Sequence, residues 1–269
     1  MAVTFADLGF RDIAGRLLIV ACPLLERLDK TGIVVPGGAD AVLAYAYVDH
    51  AQGLSLFALA PASLEGGVVF HDASFLVAQN QTVVLRSGSI PPESRVLFPD
   101  DARALEERYS EQIEQVEKAC APSEGVLAAR GVEQVDAFRS PEYPDDVLAV
   151  LASEGLPSEG VWFRLEGIAG EDALAGVLLN EPDGAYPVHE GDLMALVLTE
   201  SDDGSATLVT VPDLLISRRA RSCGARLRCT WRSRDDCLSG DEAMFCAFKG
   251  CSTRHAVKRK AAFGPHAPA

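Results

Sequence analysis

The stretch GVWFRLEGIAGEDALAGVLLNEP, Gly160 to Pro182, decides how the C-terminal half of this 269-residue chain is read. Side chains along a strand alternate between faces. Val161, Phe163 and Leu165 therefore share a face that enters a core, and Trp162, Arg164 and Glu166 share the other. The second half of the stretch runs into Asn-Glu-Pro. Asn180 tolerates a left-handed turn, Pro182 cannot continue a ladder, and Asp183-Gly184 is a tight-turn pair. VHEGD follows, with Gly191 expected at positive φ and Asp192 bonding local backbone donors.

Outward from this stretch lie further β-prone runs, VLAVLA before it and DLMALVLTE and SATLVTV after it, with polar turns between. Close spacing without intervening helices predicts an antiparallel meander. Curling into a small barrel would remove its exposed edges. The expected product over 132–216 is a small antiparallel β-domain, SH3-like or a similarly rolled sheet.

The N-terminal half reads as mixed α+β over 1–98. AVLAYAYVD and LSLFALA are strands joined by a HAQG hairpin, and GVVFHDASFLV with QTVVLRS looks like a second strand pair. The glycines of VVPGGAD supply turn geometry, since no phosphate-loop lysine follows. Residues 100–120 are predicted to be one helix. Leu105, Tyr109, Ile113 and Val116 form its apolar stripe, Asp100 and Asp101 suit its N-terminus, and Lys118 suits its C-terminus. With a shorter helix in SEGVLAARG, it forms a helical connector over 99–131. The fold class is thus α+β, with an irregular tail from 217 to 269.

Charge divides the chain in the same place. Residues 1–216 carry 12 Lys+Arg against 35 Asp+Glu, whereas 217–269 carry 12 against 4. So acidic a body repels phosphate backbones and excludes nucleic-acid binding by it. LLIVACPLL, 17–25, is far shorter than the roughly 20 apolar residues of a membrane span. It follows acidic rather than basic residues, so it does not read as an export signal, and the expected compartment is the cytoplasm. Cys22 and Cys120 fit buried small hydrophobes in a reducing environment.

The tail has three readings. Cys246, Cys251 and His255 supply a possible zinc set, although no C-x-x-C occurs. Its arginines also suit a basic arm that binds nucleic acid or folds back on the acidic body. The reading adopted is out-of-frame translation, because Arg, Cys, Ser, Trp and His become abundant abruptly after a patterned domain.

No nucleophile elbow, zinc-protease helix or dinucleotide fingerprint is present. Outside the tail the histidines are His50, His71 and His189, and neither Asp49-His50 nor His71-Asp72 pairs a base with its orienter along a strand. The double aspartates at 145–146 and elsewhere read as caps and turns, and Glu181 is left unexplained by turn chemistry. Trp162 beside Arg164 is either a stacked pair shielding the sheet or an anchor for a partner.

YPDD, VWFRLEGI, ALAGVLLNEP and VHEGDLMALVL, in that order, resemble an uncharacterised bacterial family, domain of unknown function 2314, and its neighbour 2185. The resemblance covers about residues 138–200. It implies a bacterial origin and a fold but no activity, and some such proteins look like immunity or antitoxin proteins.

The function expected from the sequence is therefore non-enzymatic binding or regulation through protein–protein contacts, without cofactor, metal or membrane. Its contact surface would be Trp162, Arg164 and Glu166 near Asn180 and Glu181. The rival is a small hydrolase using His71 or His189 with a carboxylate.

Overall fold

The computed structural model describes residues 3–21, 38–64, 69–70, 83–170, 172–200 and 204–218. The chain forms two compact units, Met1–Ala121 with Pro141–Pro144, and Pro122–Ser140 with the chain from Asp145 onward. His71, Cys22, the VVPGGAD loop up to its second glycine and all the tail residues Cys246, Cys251 and His255 lie outside the described residues.

The first unit contains strands β1 (Val3–Thr4), β2 (Leu17–Ala21), β3 (Ala41–Asp49), β4 (Gly53–Ser63), β5 (Val69–Phe70), β6 (Val84–Arg86) and β7 (Arg95–Leu97). Helix α1 (Phe10–Ile13) precedes β2, and helices α2 (Ala102–Arg108) and α3 (Ser110–Ala119) follow β7. The strands form one sheet in the order β1-β7-β2-β3-β4-β5, with β6 also on β4. The HAQG hairpin is present, as Asp49 opposite Gly53 shows. Among the described residues β5 and β6, which fall in the expected second strand pair, do not bond each other. β5 bonds β4 at Ala62 and Ser63, and β6 bonds it at Ser55 to Phe57, so the long strand β4 supplies main-chain partners to both.

Strand β2 reads as an unbroken apolar run because both of its faces are buried. Leu18 and Val20 join one core with Ile13, Val42, Leu56 and Val96. Leu17 and Ile19 join the other, with Leu43, Tyr45, Tyr109, Ile113 and Val116. The helix expected over 100–120 is interrupted at Tyr109, whose φ of −107° and ψ of 17° end α2 and begin α3. No Gly or Pro forces this break. It lets Tyr109, Ile113 and Val116 press on the same sheet face, and tertiary packing overrides helical propensity there. Asp101 caps α2 by accepting the Ala104 amide, as its position suggested.

The second unit has helix α4 (Glu124–Arg130), capped by Ser123, and then strands β8 (Asp146–Leu151), β9 (Glu159–Ile168), β10 (Ala173–Leu178), β11 (Leu193–Glu200), β12 (Ala206–Thr210) and β13 (Leu215–Ser217). All five β-prone runs are strands. Each of the pairs β8/β9, β9/β10, β10/β11 and β11/β12 is antiparallel. The ring closes through β12 and β8, which pair in parallel at Val209/Val150 and Thr210/Leu151.

An SH3-like domain, the first of the two forms expected, is not what forms. Five strands that alternate in direction leave the first and fifth pointing the same way, so closing them into a ring requires a parallel joint. Strand β13 is added outside the ring on β11.

The barrel is filled by alternate residues of each strand. Val147, Ala149, Leu151, Val161, Phe163, Leu165, Leu178, Met194, Leu196 and Leu208 are buried together, with Ala129 and Val135 from the preceding helical segment and Tyr186 and Val188 from the β10–β11 loop. Strand β10 shifts register between Ala175 and Gly176. A side chain at Gly176 would meet both Leu196 Cδ1 and Phe163 Cβ at 3.1 Å, so a glycine stands where neighbouring side chains leave little room for a Cβ.

Candidate functional site

The structure places Trp162, Arg164 and Glu166 on the outer face of β9, while Val161, Phe163 and Leu165 are buried. Period-2 alternation fixes this, because a one-residue slip would put the indole into the barrel. Trp162 is 38% exposed. Opposite it in the β8/β9 ladder stands Leu148, 43% exposed. Two large apolar side chains thus face solvent side by side. The sequence did not reveal Leu148, because VLAVLA is apolar throughout and only the pairing shows which of its residues point outward.

Arg164 does not lie on the indole. Among the described residues the cation–ring contacts are Arg11 with Phe10, Arg16 with Phe98 and Arg108 with Tyr109. Arg164 instead forks onto Asp146, its cross-strand partner, with Nε to Oδ1 at 2.7 Å and an Nη to Oδ2 at 2.9 Å. The hydrogen bonds it donates to Asp146 outweigh the cost of partial burial and raise the guanidinium pKa from its ordinary value. The aspartates read as a cap or turn at 145–146 are ion-pair acceptors. Asp145 accepts the same two-point fork from Arg130 of α4.

The turn residues of the opening stretch have structural partners of their own. Asn180 Oδ1 accepts the Trp162 amide at 2.8 Å, and Trp162 O accepts the Leu179 amide at 2.8 Å. The Asn180 side chain therefore continues the ladder where β10 ends. Glu159 accepts the amides of Asp183 and Gly184, which pins the middle of the loop. Gly191 has a φ of +87°, and Asp192 accepts the His189 amide, both as the sequence indicated.

Glu181, unexplained by turn chemistry, is joined to His189. Its Oε1 lies 2.6 Å from His189 Nδ1, and its Oε2 accepts the Glu190 amide at 2.9 Å. A carboxylate can only accept, so Nδ1 carries the hydrogen and Nε2 is the basic atom of the neutral ring. Both side chains are exposed to solvent, His189 by 37% and Glu181 by 57%. The pair links two segments of one loop eight residues apart, a contact that strand periodicity does not encode.

Unit one holds a second polar group of side chains. Arg86 donates to the buried Ser55 hydroxyl at 2.6 Å, and the Cys120 thiol points at Asp49. Burial, with Asp49 adding to it, pushes that thiol up. A thiol held protonated is a poor nucleophile. No set of three or more His, Cys, Asp or Glu side chains suited to a metal occurs among the described residues. No helix among them is long and apolar enough to cross a membrane. Comparison of the chain with family models, with curated proteins and with solved structures gave no match in any of the three.

Proposed function

We propose that this is a bacterial cytoplasmic protein with a non-enzymatic binding or regulatory role, of the immunity or antitoxin kind that the sequence resemblance implies. The β-barrel unit would be its binding module and the outer face of β8 and β9 its contact surface. One observation carries the reading, the exposed Leu148–Trp162 pair on a fully hydrogen-bonded ladder. Both main-chain groups of Trp162 are engaged, and the neighbouring Arg164 is fixed by Asp146. Rigid aromatic side chains with apolar neighbours are the usual centres of protein contact surfaces.

The test is native mass spectrometry of the protein isolated from its own cells, wild type beside Trp162→Ala. A partner carried by the wild type and lost from a folded variant supports the reading. A partner retained by the variant moves the contact elsewhere, and the absence of any partner in either sample removes it.

The Glu181–His189 pair favours a second reading, a small hydrolase in which Glu181 orients His189 as general base. That reading requires ester hydrolysis above buffer that both His189→Ala and Glu181→Gln reduce at least about a hundredfold. An inert wild-type protein ends it.

A further inference from the structure

The surroundings of the exposed pair narrow its partner. On the outer face of β8 and β9 three positions follow one another, Val150 opposite Gly160, Leu148 opposite Trp162, and Asp146 opposite Arg164. Gly160 is exposed and contributes no side chain, and Leu148 Cδ1 lies 3.7 Å from where its Cβ would stand, so the indole has the glycine step bordered by Leu148 on one side and an ion pair on the other. The ladder is full on both sides of Trp162, with β8 on one and Leu179 and Asn180 on the other. A partner strand cannot add there by main-chain bonds. Only side chains can be engaged.

Charge is the second constraint. Residues 122–140 and 145–216 contain 18 Asp+Glu, no lysine and three arginines, Arg130, Arg139 and Arg164. Each of those arginines is bonded to an aspartate of the same unit, Asp145, Asp136 and Asp146 respectively. The positive charge of these two segments is thus taken up internally. Glu166 lies on the same face as Trp162, and Glu181 adjoins the asparagine that holds the Trp162 amide. A field of that sign steers cations towards the face and repels acidic segments.

We infer that the Leu148–Trp162 face receives a basic segment of a partner protein, one that lays an apolar side chain against the indole between flanking Lys or Arg residues. The inference rests on the proposed binding role and adds the partner's chemistry to it. The partner's cations would meet Glu166 and Glu181 while its apolar residue covers Leu148. Affinity would come from the apolar contact, and the approach rate would come from charge.

The test is selection of randomised 15-residue peptides displayed on phage against the full chain, followed by binding of the enriched synthetic peptides to wild type, Trp162→Ser and Glu166→Lys. The expected result is enrichment of peptides with an aromatic or leucine residue and at least two Lys or Arg. Trp162→Ser should weaken them about tenfold or more. Association should slow about tenfold between about 50 and 500 mM salt. Glu166→Lys, at a half-buried surface position, checks the charge requirement even if the tryptophan variant loses its fold, and it should weaken binding severalfold.

Neutral or acidic peptides that still depend on Trp162 would overturn this inference and leave the binding role intact. Peptides indifferent to both variants, or no enrichment at all, would overturn both. Carbodiimide cross-links within one chain from Lys249, Lys258 or Lys260 to Glu166 or Glu181 would assign the face to the chain's own C-terminal segment, and the partner would fall.

Discussion

Arg130 grips Asp145 through two hydrogen bonds, Nε to Oδ1 at 2.8 Å and Nη2 to Oδ2 at 2.7 Å. The contact ties helix α4 to the start of β8. Only 3% of the Asp145 side chain and 16% of the Arg130 side chain are exposed. Asp145 also offers its carbonyl to the Leu165 amide at 2.7 Å, so the residue holds both the helix and strand β9.

Removing Asp145 would leave a guanidinium largely out of water with its charge unmatched. Asp145→Ala is expected to cost about 3–5 kcal/mol. Asp146→Ala breaks a more exposed pair, and about 1–3 kcal/mol is expected. Hydrogen exchange of the barrel amides checks this ordering. Equal losses would mean that burial does not separate the two pairs.

Much of the barrel was legible, and for a local reason. Alternation is a property of consecutive residues, so the faces of β9 and the five strand segments follow from composition and turn chemistry alone. Closure was legible only as a possibility, and its parallel joint depends on the parity of the strand count together with the ring being complete. The pairs that define the candidate site span the fold. Arg164 meets Asp146 across 18 residues, Arg130 meets Asp145 across 15, and His189 meets Glu181 across a loop. Nothing in the sequence of Asp145-Asp146 distinguishes an ion-pair acceptor from a cap until β8 is paired. Leu148 was hidden in the same way, one leucine in an apolar run whose outward members appear only after registration.

Gly53 separates two costs that are usually confounded. Its φ is +78°, and a Cβ there would sit 2.2 Å from Glu142 O, the acceptor of the Leu54 amide. Gly155 has the same φ of +78° but nothing within 4 Å. Gly155→Ala should cost only the left-handed backbone penalty, about 1–2 kcal/mol. Gly53→Ala adds a collision with main chain and is expected to cost about 3 kcal/mol or more. Denaturant unfolding of the two variants measures the difference, and a difference near zero would show that Pro141–Pro144 can move aside.

Cys120 should react slowly with alkylating reagents near neutral pH. Burial raises its pKa first, and the Asp49 carboxylate raises it further, with Arg86 opposing. Asp49→Asn keeps an oxygen for the Ala51 and Gln52 amides but removes the charge, so labelling of Cys120 should speed up severalfold. Peptide mapping by mass spectrometry isolates this thiol from the chain's other six. A fast wild-type rate unchanged by Asp49→Asn would show that neither burial nor the carboxylate controls it.

Tyr45 is expected to set an upper pH limit on the stability of the first unit. Its hydroxyl donates to Glu117 Oε1 at 2.6 Å, joining β3 to α3. Burial chiefly, then the bond to Glu117 and its charge, push the phenol well above its ordinary range. With a folded pKa above the unfolded one, the contribution is complete below about pH 10. As pH rises past that value the unfolded chain ionises Tyr45 while the folded chain does not, and the stability is progressively lost. Tyr47 is raised in the same direction, with burial again the largest cause. Tyr45→Phe should cost about 1 kcal/mol at neutral pH through the lost hydrogen bond. It should also flatten the alkaline decline, because the group that titrates only on unfolding is gone. Denaturant midpoints measured between neutral pH and pH 11 test both halves. An equally steep decline in Tyr45→Phe would assign the alkaline limit to Tyr47 or to another group.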